Sequence, residues 1–312
     1  MNSFIPDFAT EAVGLTSIGM DGEAIDNLTF LPKPRVTAYP GFLVATAEKC
    51  LDVCEAEYEL IEKTNLRTPL GQISIVKINK AGRVLIAGPS KINDMEIVVN
   101  KMLSLGAAKV FIDGAFSRRS SSKLATATIL VIGANRSPVM ETVLRDARII
   151  VDKLTIKGVE KKLEPLNRCK QIIAVDDKDN FHKYDGDSVI TEPEKVFDWI
   201  NSRWKYLYVP NAVGIVFLRL MVKDLSKKFI LVMNDPASLQ TDETLDKQIG
   251  ALKDRLRVIR PVNLVAVCIN PTSPRGYVFE EQIFHRELES RLNLKVINVL
   301  TKVGDDHEQT QS

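Results

Sequence analysis

The sequence predicts an α/β protein, with a mostly parallel, helix-flanked sheet followed by a second α/β region. Three observations carry that prediction. Short β-rich runs alternate with amphipathic helical stretches along most of the chain, the pattern of parallel α/β layers. The segment Lys109-Val110-Phe111-Ile112-Asp113-Gly114-Ala115 sets three apolar residues before one aspartate and two small residues. A buried parallel strand does this when it presents one carboxylate at its C-terminal end. Finally, 312 residues with 45% apolar and 26% charged side chains supply core for two globular domains, or for one large α/β domain with additions.

Each element follows from local chemistry. Residues 12–18 read as a strand entering the polar loop Gly19-Met20-Asp21-Gly22-Glu23. Pro32-Lys33-Pro34 stiffens the chain ahead of a short strand at 35–38. Residues 43–62 read as a helix, which places Cys50 and Cys54 on one face. Strands at 72–78 and 83–87 read as a hairpin across the turn 79–82. A helix at 93–105 stops at Gly106, and 109–113 reads as the central strand. A strand at 126–132 leads through Gly133-Ala134-Asn135 into a helix at 137–151, with Ser137 as cap and Pro138 in the first turn. The charged stretch 157–168 suggests a boundary, giving domains 1–160 and 161–312. Beyond it, strands at 172–175, 206–209, 229–233, 264–269 and 295–300 alternate with helices at 192–203, 212–225, 244–256 and 279–292. The polar tail from Gly304 reads as frayed.

Composition narrows the partners. A net charge of +2, from 42 basic and 40 acidic residues, gives no electrostatic case for nucleic acid or an anionic membrane. No apolar run approaches the roughly 18–20 residues that span a bilayer. The opening MNSFIPDFATEA has acidic residues and no basic region, unlike a signal peptide, so the expected location is cytoplasmic. Cys50, Cys54, Cys169 and Cys268 do not pair with His182, His285 or His307 at zinc spacing, and read as ordinary reduced thiols. Trp199 and Trp204 read as core or interface anchors.

The candidate site residues each have two readings. Asp113, with Gly114 behind it, is similar to the aspartate of a Walker B strand, which sits beside Mg²⁺; it is equally a turn aspartate that caps a loop. In Phe116-Ser117-Arg118-Arg119-Ser120-Ser121-Ser122, Arg118 and Arg119 suit an anion or an acidic partner, or form a solvated basic loop. Asp21 and Glu23 would join Asp113 around a divalent cation, or belong to a turn. Gly88-Pro89-Ser90 and Gly133-Ala134-Asn135 are small-residue turns after strands, where free amides meet phosphate. Asn234-Asp235-Pro236 and the loop 270–277, with Asn270, Arg275 and Tyr277, hold a ligand or partner, or are rigid connections. There is no G-x-x-x-x-G-K-[ST] phosphate loop.

Taken together, GLTSIGMDGEAID (14–26), KPR (33–35), VATAEKCL (44–51), TPLGQISIVK (68–77), IAGPS (86–90), FIDGAFSRRSSS (111–122) and ILVIGAN (129–135) resemble one family. It is that of the accessory or reactivating proteins of the B12-dependent lysine 5,6-aminomutase. The likeness covers residues 12–157 well and the remainder loosely. It implies a P-loop-NTPase-like fold related in layout to dethiobiotin synthetase. It also implies Mg-ATP-driven exchange of damaged cobalamin, with cobalamin reached only through the partner mutase. Asp113 then falls on the Walker B aspartate, and Asp21 in the loop after the second strand. The family pattern has a strand, a Lys-Ser/Thr-bearing glycine loop and a helix before GLTSIG, whereas residues 1–13 contain no glycine and no lysine. A truncated reading frame, a divergent member without hydrolysis, or a partner chain supplying the loop each account for that. Little ATP turnover is expected as the chain stands. An ATP-dependent ligase or transferase of dethiobiotin-synthetase type, and a non-catalytic scaffold subunit, are the alternatives.

Overall fold

A computed structural model describes residues 2, 5–18, 35–114 and 124–298. Asp21, Glu23, Arg118, Arg119 and the tail from Gly304 lie outside them. The chain is α/β and divides into two compact units, Met1–Ala125 and Thr126–Ser312. The charged stretch 157–168 thus lies inside the second unit, where Leu163 and Leu166 are buried beneath a sheet.

The first unit contains β1 (Val13–Ile18), β2 (Val36–Ala38), β3 (Leu43–Ala47), the short α1 (Glu48–Leu51), β4 (Glu57–Thr68), β5 (Gly71–Lys80), β6 (Gly82–Val84), α2 (Ile92–Ser104) and β7 (Lys109–Gly114). Its main sheet runs β4-β5-β3-β1-β7. The trio β3-β1-β7 is parallel, and β5 and β4 join antiparallel. The sheet is therefore mixed rather than mostly parallel. The helix expected at 43–62 is instead β3, α1 and β4. Leu43–Ala47 is buried at every position, which one face of a helix cannot provide. Residues 57–68 are rich in helix formers, but pairing along β5 overrides that propensity. Cys50 is consequently in α1 and Cys54 beyond it, not on one helical face; none of the four cysteines forms a disulfide. The hairpin expected between 72–78 and 83–87 is also replaced, because β6 pairs with β2.

The strand at 109–113 is an edge strand among the described residues, not the central one. Lys109, Asp113 and Gly114 are exposed. The interior position goes to β1, all six of whose residues are buried. Helix α2 buries Met95, Val98 and Met102, the last two within the cluster formed with β3 and β5.

The second unit contains β8 (Thr128–Gly133), α3 (Met140–Leu154), β9 (Ile173–Asp176), β10 (Phe181–Lys183), α4 (Pro193–Trp199), β11 (Trp204–Val209), α5 (Ile215–Lys223), β12 (Ile230–Met233), α6 (Glu243–Leu252), β13 (Leu256–Val258), β14 (Leu264–Asn270), α7 (Glu281–Leu292) and β15 (Val296–Asn298). It has a parallel sheet β15-β14-β8 and a mixed sheet β10-β9-β11-β12-β13. Helix α3 starts later than its sequence suggests: Ser137 accepts the amide of Val139 and turns the chain before the helix begins. Trp199 and Trp204 belong to the core of the mixed sheet, with ring centroids 3.9 Å apart. No helix among the described residues is long and apolar enough to cross a membrane.

The β9–β10 turn is held by one carboxylate. Asp176 accepts the amides of Lys178 and Asn180 at 2.9 and 2.8 Å, and His182 Nε2 lies 3.0 Å from its other oxygen. The His182 contact first, then Asn180, hold the Asp176 carboxyl well below the usual range. A depressed carboxyl stabilises the fold above its unfolded value, about pH 4, and that contribution disappears as pH falls further. Asp176→Asn is therefore expected to flatten the acid limb of the stability curve below about pH 4. Denaturant titrations across that limb measure it, and equal slopes in both proteins would remove the role.

Candidate functional site

The parallel trio β3-β1-β7 brings three strand ends to one edge, where open α/β sheets bind ligands. Ser17 of β1 is in register with Asp113 of β7, and Ile18 with Gly114. In-register neighbours share a face of the sheet, so the Ser17 hydroxyl and the Asp113 carboxylate point to the same side.

A ladder of hydroxyls lashes residues 85–88 to this edge. Thr46 Oγ1 donates to the Leu85 carbonyl at 3.0 Å and accepts the Ala87 amide at 2.9 Å. The Ala47 amide donates to the Ala87 carbonyl at 3.0 Å. Ser17 Oγ donates to the Ile86 carbonyl at 3.0 Å and accepts the Gly88 amide at 3.2 Å. Thr16, also buried, donates to the Ala45 carbonyl at 3.0 Å. Gly88 is required by contact: a Cβ there would lie 2.1 Å from the Ser17 carbonyl oxygen.

Beyond Gly88-Pro89-Ser90, α2 begins at Ile92 with no side chain capping its first amides. Helix α2 ends at Ser104, only a few residues before β7 starts, and it packs along β1 and β7. It therefore runs antiparallel to β7, which brings its N-terminal amides to the edge that carries Asp113. Partial positive charge at a helix start and an exposed carboxylate on a neighbouring strand end suit a phosphate with its cation. Of the cation set read from sequence, Asp113 alone is described; Asp21 and Glu23 are outside the described residues, as are Arg118 and Arg119. Among the described residues there is no group of three or more metal-ligating side chains.

The second unit collects the remaining candidates at the carboxyl edge of β8 and β14. Gly133 and Asn270 are in register, and a Cβ on Gly133 would lie 3.2 Å from the Asn270 carbonyl oxygen. The Tyr277 hydroxyl donates to the Ala134 carbonyl at 2.7 Å, beside Asn135. So Gly133, Asn135, Asn270 and Tyr277, which the sequence offered as two separate sets, share one edge. The loop spends much of its bonding capacity on itself: Asn270 accepts the Thr272 amide and Ser273 the Arg275 amide. Asn234 is likewise used internally, donating to Pro210 and accepting from Tyr208. Asp113 and Gly114 belong to the first unit and Gly133 and Asn135 to the second.

Thr16, Ser17 and Thr46 were missed as site-forming residues. Their signal was available: hydroxyls inside otherwise apolar, wholly buried strands need a partner that pays back their desolvation, and a crossing backbone supplies it. No family model matches the chain, and no curated protein or solved structure matches it.

Proposed function

We propose that the chain is an accessory, reactivating factor of a cobalamin-dependent aminomutase of the lysine-5,6-aminomutase kind. Its first unit is a P-loop-like platform that by itself holds Mg-ATP weakly or not at all. The observation that carries this reading is the register of Asp113 with Ser17 beside the uncapped start of α2. A Walker-B-like carboxylate needs that position, and the family likeness of residues 12–157 supports the same assignment. Asp113 and Gly114, with Arg118 and Arg119, are the phosphate-side residues in this reading, and Asp21, Glu23 and Asp113 the cation side. Arg118 and Arg119 also serve the acidic partner surface in this reading, and cobalamin enters only through the mutase.

The test is co-purification of the tagged chain from its native cell, with and without Mg-ATP. Wild type is expected to retain the mutase, and Arg118→Glu/Arg119→Glu to lose it. Asp113→Asn is expected to melt like wild type without ligand and, where Mg-nucleotide stabilises the wild type, to lose that stabilisation. A wild-type chain that emerges alone, or a double charge reversal that keeps every partner, overturns the proposal in favour of the small-molecule ligase. So does ATP turnover at or above about 1 s⁻¹, the low end of the usual enzyme range.

A further inference from the structure

The second unit is two lobes joined by two crossings. One lobe is the parallel sheet with α3 and α7; the other spans residues 159–258 around the mixed sheet. Each has its own buried apolar clusters; Ile156 and Ile259 of the crossings pack with those of the second lobe, and no cluster joins the parallel sheet to the mixed one. The chain crosses near 155–158 and returns near 259–263, and the crossings lie side by side. The Val159 amide donates to the Val258 carbonyl and the Val258 amide to the Lys157 carbonyl, both at 3.0 Å.

Where α3 meets the second lobe, the contact is ionic. Asp152 and Lys153 are 8% and 3% exposed. Lys153 Nζ lies 2.5 Å from Asp246 and also donates to Thr241. Lys253 Nζ lies 3.0 Å from Asp152, which Arg148 of its own helix also holds at 2.9 Å. Beside this seam is a cleft of about 350 Å³, lined by the apolar Leu144 and Ile149 and the charged Glu141, Arg148 and Arg291 of one lobe and by Asp246 and Gly250 of the other.

We propose that the two lobes form a hinge that opens and closes this cleft, with the Lys153–Asp246 and Asp152–Lys253 pairs as its latch. Lobes move relative to each other unless a large apolar interface binds them, and here each apolar core closes on itself. Hinges are a few residues at element ends, which is where the paired crossings lie. The buried Lys153–Asp246 pair suits a latch because its attraction and its desolvation cost nearly cancel, so opening trades the pair for two hydrated ions at little net change.

The experiment measures distances between spin labels coupled to unnatural amino acids at Gln248 in α6 and Arg286 in α7, leaving the four cysteines in place. Asp246→Asn is expected to lengthen the mean distance by about 5 Å or more, the scale of one helical turn. Lys253→Gln, at the exposed end of the latch, is expected to lengthen it in the same sense and serves if Asp246→Asn does not fold. Lys195→Gln, which breaks a surface pair within one lobe, is expected to leave the distance unchanged. Wild-type distances in every folded latch variant overturn the hinge, as does an equal lengthening in Lys195→Gln.

Discussion

Gly88→Ala is expected to destabilise the first unit by about 3 kcal/mol or more, because the added methyl meets atoms that cannot move aside. Its Cβ would sit 2.1 Å from the Ser17 carbonyl oxygen and 2.6 Å from Thr16 Oγ1, both within a strand paired on each side. Relief requires residues 85–88 to lift from the edge, which breaks the Gly88–Ser17 and Ser17–Ile86 hydrogen bonds together. The comparison is Gly41→Ala. There the backbone φ of +89° disfavours a side chain, but nothing lies within 4 Å of the new atom. That change is expected to cost only about 1–2 kcal/mol. Urea unfolding of both variants measures the difference. Equal midpoints would mean that the strand edge is looser than its hydrogen bonds indicate.

The second large effect is in the seam of the second unit. Lys153→Met is expected to cost about 3 kcal/mol, the lower part of the range for removing one partner of a buried pair. The lower part applies because the Asp246 side chain keeps 22% exposure while that of Lys153 keeps 4%. Adding Asp246→Leu is expected to recover most of the loss, since an apolar pair of similar volume leaves no stranded charge. Denaturant midpoints of the single and double variants check this, and a double variant no more stable than the single one would sink it. The cost of the single change does not contradict a latch that opens easily. The substitution raises the closed state by that amount, and opening relieves part of it by hydrating the ion left behind.

Much of the architecture was legible where side-chain pattern and burial agree. The apolar runs of β1, β8, β11, β12 and β14 announce strands, and the amphipathic faces of α2, α3 and α7 announce helices. The failure at 43–62 has a physical cause. Glu, Leu and Lys in 57–68 favour a helix in isolation, and only pairing with β5 tells the chain to extend. Asp113 was legible as a strand-end carboxylate because one charge after an apolar run is a local signal. Its edge position was not, since strand order depends on which segments pair across the whole chain. Nor did Gly133 and Asn270 announce that they are neighbours.

That neighbourhood sets an order of assembly. Strand β8 takes its place beside β14 only after everything between them has been synthesised, while residues 159–258 form a continuous stretch with its own core. Closing a long loop costs entropy that a folded insert reduces by bringing its ends together, as the paired crossings at Gly158 and Val258 do. On the ribosome, the inserted lobe can be complete while β8 and α3 still wait for their sheet partner. The lobe made first and last is thus the final one to close, with β8 and α3 able to cover only each other until β14 and α7 follow.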